Sequence, residues 1–280
     1  MGAVEPVTHP ADAAARDAIE LRAHERWVAN AAVAAAAALA QEVPIAFEYN
    51  GISHAVMLAT PADLEDFALG FSFSEAIADP AQLRGVDAHA SAAGITLAIE
   101  IAAEACAHLK ARRRTLAGRT GCGICGTESL GQVLRPLPDL TAVALRVAAP
   151  ALARAHAGLA AVQPLQRATG AAHLAAWCEP DGAIVLARED VGRHNALDKL
   201  IGALARARFD PRAGFALVTS RASVEMVQKS ATAGIALLAA VSAPTALAVR
   251  TAESCGQTLV GFARGASFEV YSRPDRVRAG

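Results

Sequence analysis

The feature that most constrains the fold is a regular alternation of apolar runs and helical patterns in the second half of the chain. Short apolar runs, typical of buried strands, lie at residues 184–187, 215–219, 236–241, 258–263 and 267–271, and helical patterns separate the first four. Strands that alternate with helices usually form a parallel sheet covered by helices. The sequence therefore predicts an α/β fold whose sheet is mostly parallel and carries helices on both faces.

Polar loops follow four of these predicted strands. In a parallel sheet the carboxyl ends of the strands lie at one edge, where ligands bind in the crevice beyond them. The loops are rich in hydroxyl, arginine and glycine residues, and Arg221 stands in the second. They comprise residues 188–195, 220–223, 242–245 and 264–265. Their composition favours a pocket for a phosphorylated small molecule.

The first of these loops has two interpretations. It places Arg193 and His194 at the start of a predicted helix, where free backbone N–H groups and the helix dipole favour an anion. It is also compatible with an ordinary polar loop in which Glu189 or Asp190 pairs with an arginine. The chain contains no Gly-x-x-x-x-Gly-Lys-Ser/Thr motif, so a P-loop is excluded.

The first half of the chain predicts a smaller α+β unit over residues 42–140, followed by the α/β domain over residues 141–280. Two apolar runs flank the turn Asn50-Gly51, a pair that favours a β-hairpin, and Thr60-Pro61 resembles a helix start. Residues 1–41 are rich in alanine, which has the highest helix propensity, so we expect a helical or frayed extension.

Charge and hydropathy limit the binding partners and the cellular location that we expect for the protein. The formal net charge is −1, which gives no reason to expect binding to nucleic acid. The alanine run at residues 31–40 is too short and too weakly apolar to span a membrane, and acidic residues precede it, unlike a signal peptide. We therefore expect a cytoplasmic protein.

The sequence T-G-C-G-I-C-G places Cys122 and Cys125 three positions apart among three glycines. Glycine permits backbone angles closed to other residues, which predicts a mobile loop. The residues leave four interpretations open: a zinc site, a redox-active dithiol, an exposed loop without chemistry, and a thiol that carries a group with the help of the second. Arg119 nearby would favour the reactive thiolate.

Several motifs, in this order along the chain, resemble the family of formate dehydrogenase accessory sulfurtransferases called FdhD. They are C-G-I-C-G at residues 122–126, R-E-D-V-G-R-H-N-A-L-D-K at 188–199, T-S-R-A-S at 219–223 and E-M-V-Q-K at 225–229, followed by S-A-P-T-A at 242–246 and G-F-A-R-G at 261–265. The resemblance extends from about residue 42 to residue 272. It implies a fold similar to that of cytidine deaminases. No histidine is followed two residues later by glutamate, so zinc-dependent deamination is not expected.

The resemblance implies a sulfur carrier. Such a protein takes persulfide sulfur from a cysteine desulfurase and passes it to the molybdenum cofactor, a bis-molybdopterin guanine dinucleotide, before the cofactor enters formate dehydrogenase. Cys122 would hold the persulfide and Cys125 would assist. It also implies a homodimer, and no bound metal is expected. A non-catalytic chaperone for the cofactor is the alternative.

The cofactor, or a guanine nucleotide in its place, is expected at the loops described above. The resemblance implies contacts with Phe262, Ala263, Arg264, Gly265, Ala266 and Ser267. Arg193, His194 and Arg221 are further candidate contacts, because their loops lie at the same predicted edge. Two residues depart from the family pattern: Ala171 replaces a glycine, and Glu269 replaces an asparagine.

Overall fold

The computed structural model describes residues 18–116 and 135–280. The strands are β1 (Ile19–Val28), β2 (Ala31–Ala40), β3 (Val43–Tyr49), β4 (Ile52–Ala59), β5 (Leu83–Ser91), β6 (Gly94–Ile101), β7 (Val147–Ala148), β8 (His173–Cys178), β9 (Ile184–Asp190), β10 (Phe215–Val218), β11 (Leu237–Ala240), β12 (Thr258–Arg264), β13 (Ser267–Ser272) and β14 (Val277–Arg278). The α-helices are α1 (Leu64–Ser74), α2 (Ala103–Leu116), α3 (Ala149–Gly158), α4 (Pro164–Thr169), α5 (Arg193–Arg206), α6 (Val224–Thr232) and α7 (Ala246–Cys255). Short 3-10 helices lie at Pro80–Gln82, Leu159–Val162 and Pro274–Arg276.

The main sheet has six strands in the order β13-β12-β11-β10-β8-β9. Only the pairs β10–β11 and β11–β12 are parallel, and the other three pairs are antiparallel. The prediction of a mostly parallel sheet is therefore wrong, because the outermost strands on each side, β13 and β9, belong to antiparallel hairpins. Gly182 and Gly265, both with positive φ, lie in the tight turns that reverse the chain there. Apolar runs reveal that a strand is buried but not its direction.

Helices cover both faces of this sheet, as predicted. On one face, side chains of α5, α6 and α7 form a core with Ala175, Trp177 and Val218 of the strands. On the other, Leu152 and Ala155 of α3 pack on the alternate residues of the same strands, such as Phe215 and Leu217. The main sheet is thus a buried central layer with two apolar faces, and the polar loops lie at the ends of its strands.

The smaller unit consists of a four-stranded sheet, in the order β4-β3-β6-β5, covered by α1 and the first turns of α2. Asn50 and Gly51, with φ of 48° and 77°, form the predicted turn between β3 and β4. Phe47 stacks on Phe71 of α1 with ring centroids 4.2 Å apart. The hydrophobic core of the smaller unit is therefore separate from the two cores of the main sheet.

Helix α1 joins the two units because it packs directly on α5. A Cβ atom on Gly70 of α1 would lie 1.6 Å from the backbone oxygen of Asp198, and one on Gly202 of α5 would lie 1.9 Å from that of Asp66. Only glycine permits the two backbones to approach this closely. The smaller sheet is therefore held against the helical face of the main sheet.

Residues 19–40 form an antiparallel hairpin of β1 and β2, with Ile19 opposite Ala40 and Val28 opposite Ala31. The expectation of a helical or frayed extension is wrong for these residues. Ala29 and Asn30, both with positive φ, form the two-residue turn, and β1 alternates apolar and polar side chains. No helix among the described residues is long and apolar enough to cross a membrane.

Candidate functional site

Four polar loops lie at one edge of the main sheet. Strands β9, β10, β11 and β12 run in the same direction, because β8 is antiparallel to both β9 and β10. The Thr245 backbone N–H donates to the carbonyl of Ala222 at 3.0 Å, and that of Phe262 donates to the carbonyl of Ser242 at 3.2 Å. These bonds join the loops after β10 and β11 and the end of β12 into one continuous rim.

The start of α5 extends this rim on the other side. His194 Nε2 lies 2.7 Å from the carboxylate of Glu225 in the first turn of α6, and this contact is the main reason why the pKa of Glu225 is lowered. Arg193 Nε is buried without a hydrogen-bond partner among the described residues. The structure therefore connects Arg193 and His194 to the loop that carries Arg221.

Helices α5 and α6 both begin at this rim without a side-chain cap. Gly192 has no side chain to offer, and the Ser223 hydroxyl makes no cap hydrogen bond. The Ser223 Oγ atom is also buried without a hydrogen-bond partner in the described part of the chain. Free N–H groups at two helix starts, beside Arg193 and the exposed Arg221, favour an anionic ligand.

The predicted contact segment, residues 262–267, comprises the end of β12, the two-residue turn at 265–266 and the first residue of β13. Phe262 has a φ of 51° within a β-bulge and is 37% exposed, a geometry that directs its side chain out of the sheet. Arg264 Nε donates to the carbonyl of Val241 at 2.9 Å. The backbone N–H of Gly265 donates to His156 Nδ1 of α3 at 3.2 Å.

The side chains of this segment differ in what they can offer a ligand. Ala263 is buried in the core under the sheet, so only its backbone is available. Ala266 and Ser267 are exposed at the tip of the turn. Phe262 can therefore contact a ring, and Arg264 and the exposed Ser267 hydroxyl can contact a phosphate.

A cavity of about 420 Å³ lies at the same edge, between α4, the start of β8 and Thr219 after β10. His173 borders it, and burial together with the charge of Arg193 lowers the pKa of this histidine. Other residues that line it are Gln163, Gln166, Gly170, Ala171, Ala172 and Thr219. The sequence did not predict His173 as a site residue, and Gly170, three positions before it, was the available signal.

Asp190, in the first polar loop, belongs to the packing of the two units rather than to the rim. Its carboxylate lies 2.6 Å from Lys199 Nζ, and both side chains are fully buried. It also accepts a hydrogen bond from the backbone N–H of Thr60, in the smaller unit, at 3.1 Å. Asn195 Nδ2 donates to Asp190 and to the carbonyl of Leu58.

Within the first polar loop, Glu189 and Asp190 therefore have structural roles, but among the described residues Asp190 pairs with Lys199 and not with the expected arginine. The Glu189 carboxylate accepts the backbone N–H groups of Leu165 and Gln166, at 2.7 and 2.8 Å, in the first turn of α4. Burial raises the pKa of Glu189. This carboxylate fixes α4 against β9.

A second buried ionic cluster lies where the two units meet. Lys229 Nζ lies 2.9 Å from the carboxylate of Asp198 and 2.6 Å from that of Glu75. Arg135, the first residue after the undescribed segment 117–134, donates to the carbonyl of Ser74 and lies 3.6 Å from Glu75. The chain that returns from the cysteine pair is therefore anchored at the end of α1.

The predicted sulfur site, Cys122 and Cys125, lies outside the described residues. The other three cysteines, Cys106, Cys178 and Cys255, are buried in three different apolar clusters. Burial raises the pKa of Cys178 to about 12, and it also raises that of Cys255. Neither thiol is therefore a nucleophile at neutral pH.

These features define an α/β protein in which a small α+β unit is docked on a mixed sheet, with an anion-favouring rim at one edge of that sheet. The model of the FdhD/NarQ family matches residues 40–278, and the chain belongs to this family. This identification confirms the family inferred from the motifs.

Relatives and one solved structure agree with it. The chain is 55% identical over 241 residues to the sulfur carrier protein FdhD of Bordetella petrii and 58% identical over 243 residues to that of Xanthomonas campestris, with 86% of each chain covered in both cases. A crystal structure of a protein assigned as a formate dehydrogenase accessory protein, from Desulfotalea psychrophila, superimposes with a TM-score of 0.75 at 21% identity. It covers 93% of this chain and 100% of its own, and shows the same fold.

Proposed function

We propose that this protein is a sulfur carrier that takes persulfide sulfur from a cysteine desulfurase and delivers it to the molybdenum cofactor before the cofactor enters formate dehydrogenase. The observation that carries the proposal is the identity of 55–58% with proteins named sulfur carrier protein FdhD, over 86% of both chains. The cysteine pair at residues 122 and 125 lies within the matched region.

The distribution of thiols supports Cys122 and Cys125 as the carriers. A sulfur carrier needs a thiol that can approach the donor protein, and the three cysteines in the described residues are buried. A buried thiol is slow to ionise, whereas the basic run at residues 112–114 and Arg119 precedes the pair and favours the thiolate. These two cysteines are therefore the candidate carriers, and the resemblance to the family assigns the loaded sulfur to Cys122, with Cys125 assisting.

The chemistry of loading and delivery balances with these two thiols. In loading, the Cys122 thiolate attacks the outer sulfur of the donor persulfide, and the donor cysteine leaves as a thiolate. In delivery, the Cys125 thiolate attacks the inner sulfur of the Cys122 persulfide, and the outer sulfur leaves as sulfide for the metal. The two electrons that reduce this sulfur come from the thiols, which become a disulfide.

The rim of the main sheet supports a site for the phosphates of the cofactor. Two uncapped helix starts and the side chains of Arg193 and Arg264 present positive charge and N–H groups along one edge, and Arg193 Nε has no partner in the described part of the chain. Glu269, the acidic departure from the family pattern, accepts a hydrogen bond from the Tyr271 hydroxyl. This hydrogen bond stabilises the Glu269 carboxylate and so reduces its repulsion of an anionic ligand.

The proposal is tested by supplying a cysteine desulfurase with radiolabelled cysteine and measuring both labelled protein and reactivated formate dehydrogenase. The wild type is expected to gain label and restore activity, and Cys122→Ala to do neither. Cys255→Ala, which alters a buried thiol, is the matched control and should behave as wild type. Labelling and restoration by Cys122→Ala would refute the assignment.

The cofactor site is tested separately, by calorimetric titration with a guanine nucleotide. We expect wild-type binding and at least a tenfold weaker affinity for Arg264→Ala, because a rim guanidinium is lost. Arg154→Ala is the control, since Arg154 pairs with Asp181 in the β8–β9 turn. This turn lies at the end of the strands that is opposite the rim. Equal binding by Arg264→Ala, or none by wild type, contradicts the site. Nucleotide binding without sulfur loading would instead indicate the cofactor chaperone.

A further inference from the structure

We propose that the outer face of the smaller sheet is the surface on which the protein that receives the cofactor docks. The inference rests on the proposed delivery to formate dehydrogenase, and it adds the place of contact and the chemistry of the partner surface. The outer face is the side of the sheet β4-β3-β6-β5 that points away from α1. It consists of residues 44, 46 and 48 of β3, residues 53, 56 and 58 of β4, residues 85, 87, 89 and 91 of β5, and residues 94, 96, 98 and 100 of β6.

The strand register separates this face from the core of the smaller unit. Ile45, Phe47 and Tyr49 of β3 are fully buried against α1, and the residues between them point the other way. No residue of the outer face is buried among the described parts of the chain. The face is therefore open to a partner along all four strands.

One half of the outer face is apolar. Val56 is 57% exposed and Leu58 is 56% exposed, the highest fractions among large apolar side chains of the described residues outside the β1–β2 hairpin. They lie on the edge strand β4, opposite Ala46 and Pro44. The solvated face of a sheet is usually polar, and adjoining exposed apolar side chains are typical of an interaction site.

The other half of the outer face is acidic. Glu48 and Asp87 lie opposite Ala98 from its two sides, and Glu100 follows on β6. Within the described residues none of these three carboxylates forms an ion pair, and His89 is the one basic side chain that the outer face carries. The complementary surface therefore presents apolar side chains flanked by lysine or arginine.

These charges select a protein partner from among the possible occupants. Anionic lipid headgroups and nucleic acid phosphates would be repelled by the carboxylates. A second copy of the outer face would bury the same carboxylates without a lysine or arginine to compensate them, which is costly. A basic and apolar surface of another protein meets both halves of the face.

The outer face adjoins the rim where the cofactor is expected. The carbonyl oxygen of Leu58 accepts a hydrogen bond from Asn195 Nδ2 at 2.9 Å. Asn195 lies in the first turn of α5, directly after Arg193 and His194 of the rim. The apolar half of the outer face therefore ends beside the candidate cofactor site, so a docked recipient would lie next to that site.

The size of the outer face suits a contact that forms and is released. Four strands about 4.8 Å apart, each contributing three or four side chains about 6.7 Å apart, give a face of about 500 Å². A standard interface buries about 800 Å² per partner, and smaller contacts are usually transient. A carrier that hands over its cargo must release the recipient afterwards.

Biolayer interferometry with immobilised apo-formate dehydrogenase and the full chain tests the proposal. We expect reversible binding of wild type, and at least tenfold weaker binding of Val56→Glu, because a charge would enter the apolar contact. Val33→Glu is the matched control, since Val33 is 53% exposed on β2. Equal binding of Val56→Glu and wild type, or no binding of wild type, would overturn the proposal.

A second pair of variants tests the charges. Glu100→Lys should bind at least tenfold more weakly than wild type at low salt, and the difference should shrink as salt screens the contact. Glu253→Lys makes the same change of charge on the exposed side of α7 and should bind as wild type. Tighter binding of Glu100→Lys would show that the partner surface is acidic, which contradicts the proposal.

A photo-crosslinking amino acid introduced at position 56 identifies what covers the outer face. A crosslink to apo-formate dehydrogenase is expected, whereas a crosslink to a second copy, or to another segment of the same chain, overturns the proposal. The intact mass of Val56→Glu after incubation with a cysteine desulfurase separates docking from sulfur loading, and it should show the gain of sulfur. Binding that depends on Val56 while Cys122 stays unloaded would support the docking face and contradict the sulfur carrier.

Discussion

At the scale of single residues, the buried ion pair of Asp190 and Lys199 stabilises the packing of the two units, although both residues belong to the motif that also supplies Arg193 and His194 of the candidate site. Both side chains are fully buried, and Lys199 Nζ also donates to the carbonyl of Thr60 at 2.9 Å. Removing one partner of such a pair leaves an uncompensated charge in a poorly solvated place, which costs far more than an exposed ion pair. The pair therefore holds the smaller unit on the main sheet.

We expect Lys199→Met to lower the free energy of unfolding by about 3–5 kcal/mol, because it leaves the Asp190 carboxylate buried without its partner. Urea unfolding followed by circular dichroism measures the change. Lys110→Met, at an exposed position of α2, is the control and should change the free energy by less than about 0.5 kcal/mol. A loss at Lys199 as small as that of the control would show that the pair contributes little.

The buried thiols should be unreactive in the native protein. A raised pKa means that the thiol stays protonated to higher pH, and for Cys178, with a pKa of about 12, only about one molecule in ten thousand is thiolate at pH 8. Alkylation at pH 8 followed by peptide mass spectrometry should find Cys178 and Cys255 modified only after unfolding. Rapid modification of Cys178 in the native protein would contradict its burial.

The sequence predicted which residues would lie at the rim better than it predicted their contacts. Arg193 and His194 lie at a helix start, as a glycine before an amphipathic helix indicates. The partner of Asp190 could not be predicted, because Lys199 stands nine positions later and Thr60 lies in the other unit. Long-range contacts of this kind depend on how α1 docks on α5, which no local pattern reports.

At the scale of elements, the contact between α1 and α5 depends on glycine. Gly202→Ala should destabilise the fold by at least about 2 kcal/mol, since its Cβ would lie 1.9 Å from the backbone oxygen of Asp66 and neither helix can yield without disturbing a packed core. Thermal and urea unfolding measure this loss. Gly85→Ala is the control, because the nearest atom to its Cβ is a Glu100 side-chain oxygen at 3.9 Å. Equal stability of the two variants would contradict the close approach.

Some secondary-structure elements were predicted correctly from local sequence patterns, and others were not. Asn50-Gly51 specifies its hairpin locally, so β3 and β4 were predicted correctly. Alanine favours a helix in isolation, yet residues 31–40 pair with β1, so pairing across the turn outweighs local propensity. The direction of β8 and β13 depends on short glycine turns, which an apolar pattern does not register.

At the scale of the whole molecule, the proposed sulfur site and the proposed cofactor site belong to different parts of the chain. The cysteine pair belongs to a segment that leaves α2 and returns at Arg135, which is anchored at the end of α1. The anion-favouring rim lies at the carboxyl edge of the main sheet, beside the starts of α5 and α6. The proposed delivery of sulfur would bring Cys122 to this rim.

The most direct test of the central claim is the intact mass of the protein after incubation with a cysteine desulfurase and cysteine. We expect the wild type to gain the mass of one sulfur atom, which a reductant removes. Cys122→Ala should gain none, whereas Cys178→Ala, which alters a buried thiol, should still gain it. An unchanged mass of wild type, or the same gain in Cys122→Ala, would contradict the account.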